Sequence, residues 1–372
     1  MEPITVYVFD SSITPQGTVD VLTGLNWEEK FSEAGSFELW CPLNDQNAEL
    51  LREDYFVWLG GTRDTAGIIE FKELEVDEEG TQTIHIQGRL LECILERRTL
   101  YPAFTFTGKA GAALNKMVDT TLVNPTDTKR KVSFLSVDSS GDNLGAQVSF
   151  QKTGGDVLSQ SSELAQANDL GFKVSFNPRT KSLTFKVLQG TDRTIDQSVV
   201  NPVYFASDLD DILESGYSHN KSDFRNVAYV AGEDSGADRK VVEVGTPTGL
   251  DRREVFVDAR DLQSEKEEGG TIPAGEYISM LQERGKTSLE EYKDLQTFSA
   301  TIRTFGVTSY EYGVDFFLGD LVTVYDRRLK VRANALVTAV ELEYDTDGQT
   351  LQLTFGYQQP TLANKLKRRT LT

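Results

Sequence analysis

The side chains that most often carry out chemistry in proteins are few in this sequence, with the exception of carboxylates. The sequence contains two histidines, His85 and His219, and two cysteines, Cys41 and Cys93. Neither histidine has a cysteine or a second histidine at the spacing of a zinc site. A Ser-His or Cys-His nucleophile would have to use one of these histidines, and the residues around them do not support it. We therefore predict no metal site, no cofactor and no catalytic residue.

Carboxylates are abundant and set the charge of the chain. Asp and Glu number 58 against 38 Lys and Arg, and the formal net charge is −20. With so many acidic residues, the proximity of two carboxylates, as in a glycosidase, carries almost no information. An acidic surface repels phosphates, so neither sequence-specific nucleic acid binding nor docking on an anionic membrane is predicted.

The opening of the sequence, MEPITVYVFD, has neither the basic nor the apolar region of a signal peptide. It predicts a first strand instead, with Ile4, Val6 and Val8 on one face. No run of the sequence approaches the roughly twenty apolar residues of a membrane span. Without a secretory signal, Cys41 and Cys93 are predicted to be buried reduced thiols.

Three tryptophans, Trp27, Trp40 and Trp58, offer another kind of chemistry, the stacking of a sugar ring. Aromatic residues at strand spacing more often fill a core or an interface. We favour the core interpretation and keep a glycan-binding adhesin as an alternative.

The elements that must position any site are mainly strands, and one hairpin occurs twice. Residues 73–88 have the sequence ELEVDEEGTQTIHIQG, and residues 341–356 have ELEYDTDGQTLQLTFG. The windows align without a gap and are identical at six positions, the last of which pairs Gly88 with Gly356. Asp-Gly between two alternating runs is typical of a β-hairpin. Turns need Asp, Glu and Gly, so any two acidic hairpins resemble each other; we favour instead two copies of one β-domain.

Hydrophobic periodicity predicts helices between the two hairpins. One helix is predicted over residues 110–122 and a second over residues 156–169, where Asp156 is the N-cap. A third helix is predicted over residues 276–292, with Gly285 as the site of a kink. The predicted fold class is mainly β with α+β insertions, in which two copies of one β-domain are accompanied by two smaller inserted domains.

The chain of 372 residues is long enough for two to four domains. The predicted boundaries are 1–100 for the first β domain, 101–200 for an α+β inserted domain, 201–260 and 295–358 for the second β domain, 261–294 for a helical insertion and 359–372 for a basic C-terminal tail.

Six segments, in this order, resemble the tail-hub family of phages with long non-contractile tails: LNWEEKFSEAGSFEL, GRLLECILERRTLYP, FKVLQGTDRT, NVAYVAGE, LDRREVFVDARD and GVDFFLGDLVTVYD. The resemblance runs from about Leu25 to Gly356. It extends to the N-terminal hub part of tail-associated lysins and to the baseplate hub of contractile tails. Some relatives carry a further C-terminal module that digests cell wall or extends as a fibre; only sixteen residues follow Gly356, so no hydrolase activity is carried over.

The resemblance implies that the two β domains are related β-barrels of the phage tail-hub type, accompanied by two smaller inserted domains. It also implies a structural hub in the virion, at the tail tip, assembled in the host cytoplasm. Such a hub closes the tail tube, joins the distal tail ring to the host-contacting tip and opens for DNA passage. The implied partners are further copies of the chain in a homotrimer, a distal tail protein hexamer, the tape-measure protein and a receptor-binding or tail-fibre protein. A tail-borne cell-wall glycosidase or peptidase is an alternative, as is the adhesin.

The acidic excess suits a tube through which DNA slides without sticking, since acidic walls repel phosphates. We expect part of it to face the axis of the tube. The candidate residues are Asp77, Glu78, Glu79, Asp208, Asp210, Asp211 and Glu214.

A trimer would reconcile the two hairpins with the sixfold rings of a tail tube. Three chains, each with two copies of one barrel, present six barrels and so match a sixfold ring. The exposed strand edges of the hairpins would be covered by neighbouring barrels. We expect the two hairpins to superpose after a rotation of about 60° around the axis.

Overall fold

A computed structural model provides the fold of the chain. Its strands dominate, as predicted from the alternation of apolar residues. The residues that the structure describes are 4–61, 64–76, 80–206, 212–233, 239–264, 270–292, 295–302, 310–327, 330–345 and 348–356.

The first part of the chain is built from antiparallel strands. Buried and exposed side chains alternate along several of them, because successive side chains of a strand point to opposite faces. These elements are β1 (Val6–Phe9), β2 (Pro15–Val19), β3 (Gly24–Lys30), β4 (Ser36–Pro42), α1 (Asp45–Leu50), β5 (Phe56–Trp58), β6 (Ala66–Val76) and β7 (Gln82–Leu90).

The next part contains the two predicted helices and a further hairpin within residues 171–188. The carboxylate of Asp156 accepts a hydrogen bond from the backbone N–H of Ser159 at 2.7 Å, which confirms it as an N-cap. The elements here are β8 (Phe104–Lys109), α2 (Ala110–Val118), β9 (Leu135–Asp138), β10 (Gln147–Lys152), α3 (Val157–Gln166), β11 (Gly171–Asn177) and β12 (Ser182–Leu188).

The last part returns to strands, with one long helix among them. Its elements are β13 (Tyr204–Ala206), β14 (Ile212–Asn220), β15 (Val227–Ala231), β16 (Val241–Val244), β17 (Glu254–Asp258), α4 (Ala274–Glu291), β18 (Leu295–Ile302), β19 (Leu321–Asp326), β20 (Val331–Tyr344) and β21 (Gln349–Phe355).

Strands β15, β16 and β17 form a small sheet of their own, against which α4 packs. The sequence placed residues 201–260 with the second β domain, but these three strands pair only with one another among the described strands. Gly285 does not interrupt α4, which is continuous through it, and the predicted kink stays a prediction. A Cβ atom there would lie 2.7 Å from Val244 Cγ2, so the glycine allows close contact between helix and sheet.

Strands β8 and β10 form a sheet of two strands, and β9, β11 and β12 form a sheet of three. The other thirteen described strands form one sheet that spans both predicted β domains. Its order is β14-β18-β21-β20-β3-β4-β7-β6-β5-β1-β2, with β19 beside β20 and β13 beside β19. The mainly β class is confirmed, but the described strands close no barrel within one chain. The reason is the length of β20, which pairs with β19 through residues 331–336 and with β3 through residues 339–344.

The repeated hairpin is present twice in the structure. Strands β6 and β7 form the first copy and β20 and β21 the second, both antiparallel. Each outgoing strand carries an irregularity of register at the same position of the repeat, between Ile69 and Phe71 in β6 and between Val337 and Ala339 in β20. Such bulges bend a strand at a defined place and are a specific feature of a sheet. The duplication predicted from the sequence is therefore supported by the register.

The return strands differ by one residue. Five residues (77–81) separate the strands of the first hairpin, and four (345–348) separate those of the second. As a result Gly88 lies opposite the bulge in the first copy, whereas Phe355 occupies that place in the second. The gapless pairing of Gly88 with Gly356 is therefore wrong, because the second turn is shorter.

The duplication extends beyond the hairpins. Five strands in the order β3-β4-β7-β6-β5 correspond to five in the order β14-β18-β21-β20-β19. The copies differ at the sixth strand, since β1 is antiparallel to β5 whereas β13 is parallel to β19. Each copy thus keeps the hairpin, the two strands on one side of it and one strand on the other.

Candidate functional site

The acidic residues predicted to face a lumen are only partly within the described structure. Asp77, Glu78 and Glu79 lie outside the described residues, as do Asp208, Asp210 and Asp211. Glu214 lies in β14, where its backbone is paired with Thr301 of β18. The acidic lumen therefore stays a prediction.

The cysteines are buried free thiols, as predicted. Burial raises the pKa of Cys41 to about 11 and that of Cys93 to about 12. His85 stacks on Trp40, with ring centroids 4.6 Å apart, and its Nε2 lies 3.5 Å from Glu38 Oε2. Neither cysteine is therefore a ready nucleophile at neutral pH.

The tryptophans are occupied by protein contacts. Trp27 is 1% exposed and lies 5.5 Å from Phe37, centroid to centroid. Trp58 packs between Tyr7 and Phe176, with centroid distances of 5.4 and 6.1 Å. A sugar could not stack on Trp27 without unfolding the sheet around it.

One cavity of about 310 Å³ lies where three parts of the chain meet. Gly190 allows the closest approach there, since a Cβ atom on it would lie 1.7 Å from the carbonyl oxygen of Gly319. The charged residues that line the cavity are Glu29, Lys30, Glu92, Lys173 and Asp320.

Glu92 is the unusual side chain of this cavity. It is 4% exposed, and one carboxylate oxygen, Oε1, accepts a hydrogen bond from the backbone N–H of Val174 at 2.8 Å. The other oxygen, Oε2, is buried and has no hydrogen-bond partner among the described residues. Burial, with a smaller effect from the charge of Glu29, raises the pKa of Glu92 to about 7. Its position could have been suspected from the sequence, because a lone carboxylate interrupts the apolar run LLECIL at 90–95.

The outer halves of the two repeated hairpins differ in what covers them. In β20, residues 339–344 pair with β3, and Leu342 is 3% exposed opposite Trp27. In β6, residues 71–76 pair with β7 alone among the described strands, and Leu74 is 54% exposed. Phe71 and Val76 on the same segment are 44% and 63% exposed. An uncovered alternating edge of this kind is a site for pairing with another chain.

The second uncovered edge belongs to β14. This strand stands at the end of the sheet order and pairs with β18 alone among the described strands. Among the described strands, the outer edges of β6 and β14 thus have no neighbouring strand, and one such edge lies at each copy of the duplicated unit.

The fold is that of known phage tail proteins. The structure is similar to a tail protein from Neisseria meningitidis MC58, with 15% identity, a TM-score of 0.57 and coverage of 96% of this chain and 97% of the other. It is similar to the 43 kDa tail protein of prophage MuSo2 from Shewanella oneidensis, with 12% identity, a TM-score of 0.57 and coverage of 94% and 98%. The prophage tail protein gp18 from Listeria monocytogenes EGD-e has 12% identity, a TM-score of 0.55 and coverage of 98% of each chain.

The sequence leads to the same class. The family model described as Siphovirus ReqiPepy6 Gp37-like protein matches residues 5–357, so the chain belongs to this family. None of the curated protein sequences compared with the chain matches it. No helix among the described residues is long and apolar enough to cross a membrane.

Proposed function

We propose that the chain is the structural hub of a phage tail tip and that three copies form a ring at the end of the tail tube. The observation that carries the proposal is the duplicated five-strand unit. Three chains with two units each present six similar units, and a sixfold tail ring can dock on them without a symmetry mismatch. The role is structural rather than enzymatic.

The ring joins the distal tail protein hexamer on one side to the receptor-binding or tail-fibre protein on the other. The tape-measure protein ends at its inner face, and the ring opens when DNA leaves the tube. The net charge of −20 supports this path for DNA, since an acidic wall gives phosphates no binding free energy.

The copy number of the chain in assembled tails tests the proposal. Tails purified from phage particles should contain three copies of the chain for each six copies of the distal tail protein, as measured by quantitative mass spectrometry. Image reconstruction should place the two copies of the repeated hairpin at about 60° intervals around the axis. One, two or six copies for each tail tip would contradict the hub.

The predicted acidic lumen is tested on the same reconstruction. Asp77, Glu78 and Glu79 should face the axis, together with the cluster from Asp208 to Glu214. An electrostatic potential that is neutral or positive along the bore would contradict this part of the proposal.

The alternative of a cell-wall glycosidase has one observation in its favour. Glu92 combines a raised pKa with a second carboxylate, Glu29, at the same cavity, and a general acid needs such an environment. A zymogram on host cell wall separates the alternatives. The hub gives no cleared zone, whereas a glycosidase gives one that Glu92→Gln abolishes.

A further inference from the structure

We propose that the outer half of β6, residues 71–76, pairs in antiparallel register with β14 of a neighbouring copy of the chain. This inference rests on the proposed trimer and names the surface through which its copies meet. Its basis is that the equivalent junction already exists once inside each chain, where the outer half of β20 pairs with β3.

The repeat makes β14 the equivalent of β3. Each is the outermost strand of its five-strand unit. β3 pairs with β4, which pairs with β7 of the first hairpin, and β14 pairs with β18, which pairs with β21 of the second. Trp27 of β3 lies opposite Phe37 of β4, and Tyr217 of β14 lies opposite Phe298 of β18. An aromatic residue thus occupies the same position in both outer strands. β14 can therefore pair with β6 and place an aromatic side chain beside it, as β3 does with β20.

The exposed side chains of β6 indicate that a strand is missing from its edge in the single chain. Leu74 and Leu342 occupy the same position of the repeat, yet the first is 54% exposed and the second 3%. The difference arises because β3 covers Leu342 and no described strand covers Leu74. A strand added beside β6 would bury the side chain and satisfy the backbone groups of the edge.

The internal junction fixes the register of the external one. Leu342 lies opposite Trp27, and Glu341 lies opposite Glu28. Replacing each residue by its equivalent in the other copy of the repeat places Leu74 opposite Tyr217 of the neighbour. The adjacent pair is then Glu73 opposite Ser218 of the neighbour. Because the contact joins two different surfaces of the chain, it repeats around a ring and closes after three copies.

Electrostatics favours the external junction over its internal counterpart. Burial and then the charge of Glu28 raise the pKa of Glu341, which shows that like charges meet across β20 and β3. In the proposed contact Ser218 stands in the place of Glu28. Glu73 therefore meets a hydroxyl group rather than a second carboxylate, and the like-charge penalty disappears.

Disulfide trapping in assembled tails tests the register. Two double variants place cysteines at adjacent in-register pairs, Leu74→Cys with Tyr217→Cys and Glu73→Cys with Ser218→Cys. Adjacent antiparallel pairs alternate between Cα separations of about 5.5 and about 4.5 Å, so one pair or the other has a separation that suits a disulfide. Mild oxidation should convert the chain into a covalent trimer on a denaturing gel.

The matched control is Glu75→Cys with Ser218→Cys, which lies two residues out of register on the same face. Its separation of about 7–8 Å is too long for a disulfide, so it should stay monomeric. Equal trapping of this control, or no trapping of either in-register pair in tails with three copies, would overturn the pairing and leave the trimer intact. A different copy number would overturn the trimer itself.

Hydrogen exchange on unmodified tails gives an independent readout that needs no variant. Backbone amides in residues 71–76 and 216–220 should exchange at least tenfold more slowly in assembled tails than in the isolated chain, because a ladder hydrogen bond must open before exchange. Unchanged exchange in both segments would contradict the proposed contact.

Discussion

Arg193 donates a hydrogen bond from Nε to the Oδ2 atom of Asp320 at 2.7 Å, and this pair links the segment after β12 to the segment before β19. Asp320 is 3% exposed and also accepts the backbone N–H groups of Thr191 and Phe317, at 2.7 and 3.0 Å. The carboxylate is therefore surrounded by donors and holds two distant parts of the chain together.

Replacing Asp320 by Asn should destabilise the fold. The variant keeps the shape but removes the charge, so Arg193 loses its partner in a nearly buried place; breaking such a pair costs about 3 kcal/mol. The measurement is urea-induced unfolding at neutral pH. Arg332 and Asp196 form the control pair, also 2.7 Å apart but with both side chains at least half exposed. Asp196→Asn should change the stability far less, and equal losses would contradict the role of burial.

Glu92 should make stability fall as pH rises. Burial raises its pKa from an ordinary value of 4.5 to about 7, so the folded state favours the protonated carboxyl group. The stabilisation is fully present below about pH 4.5, where the unfolded state is protonated too, and is lost as pH rises towards 7. The loss amounts to roughly 3 kcal/mol for a shift of this size.

The test for Glu92 is the variant Glu92→Gln, which is neutral at every pH. Its amide oxygen keeps an acceptor for the N–H of Val174. Unfolding in urea at pH 5 and pH 8 should show that the stability of the variant, relative to the unmodified protein, increases by about 2.5 kcal/mol between the two conditions. A difference that is the same at both pH values would show that Glu92 does not titrate in this window.

The two cysteines should resist thiol reagents in the folded chain. Thiolates are the reactive form, and burial raises the pKa of both Cys41 and Cys93 far above neutral pH. A colorimetric thiol assay should detect fewer than a tenth of the thiols in the native protein within minutes and both after denaturation. Ser279→Cys, on the exposed face of α4, is the control that should react at once. Fast reaction of the unmodified protein would contradict the burial.

Local patterns of sequence predicted the elements but not how they join. Alternation identified the two strands of the repeated hairpin, and Asp156 marked the start of α3 because its side chain can cap a helix. The contact between β20 and β3 joins residues more than three hundred positions apart. Nothing in either strand specifies the other, so the continuous sheet could not be predicted.

Two misses have local causes. β14 was not predicted because its sequence, ILESGYSHN, alternates few apolar residues and contains a glycine, and only its pairing with β18 holds it as a strand. The alternation of Tyr310, Tyr312 and Val314 in the sequence predicts a strand, but Gly313 adopts a positive φ of 86° and turns the chain there. Glu92 was missed as a site because its surroundings come from β11, far away in sequence.

The two equivalent leucines provide the sharpest test of the duplicated fold. Leu342→Ala removes a side chain that is 3% exposed and lies next to Trp27 of the neighbouring strand β3. This substitution should destabilise the isolated chain by about 2–5 kcal/mol. Leu74→Ala removes the same side chain from the same position of the repeat, where it is 54% exposed, and should cost less than about 1 kcal/mol.

Assembly should reverse the order of these two effects. If the edge of β6 is covered only in the tail, Leu74→Ala will fold normally and yet enter tails at a reduced level, measured as the fraction of variant chain in particles from cells that also express the unmodified chain. Leu342→Ala, compared at a temperature where it remains folded, should enter tails at a level close to that of the unmodified chain, because its contact lies inside one copy. Normal incorporation of Leu74→Ala would mean that the assembled tail leaves this leucine as exposed as it is in the single chain.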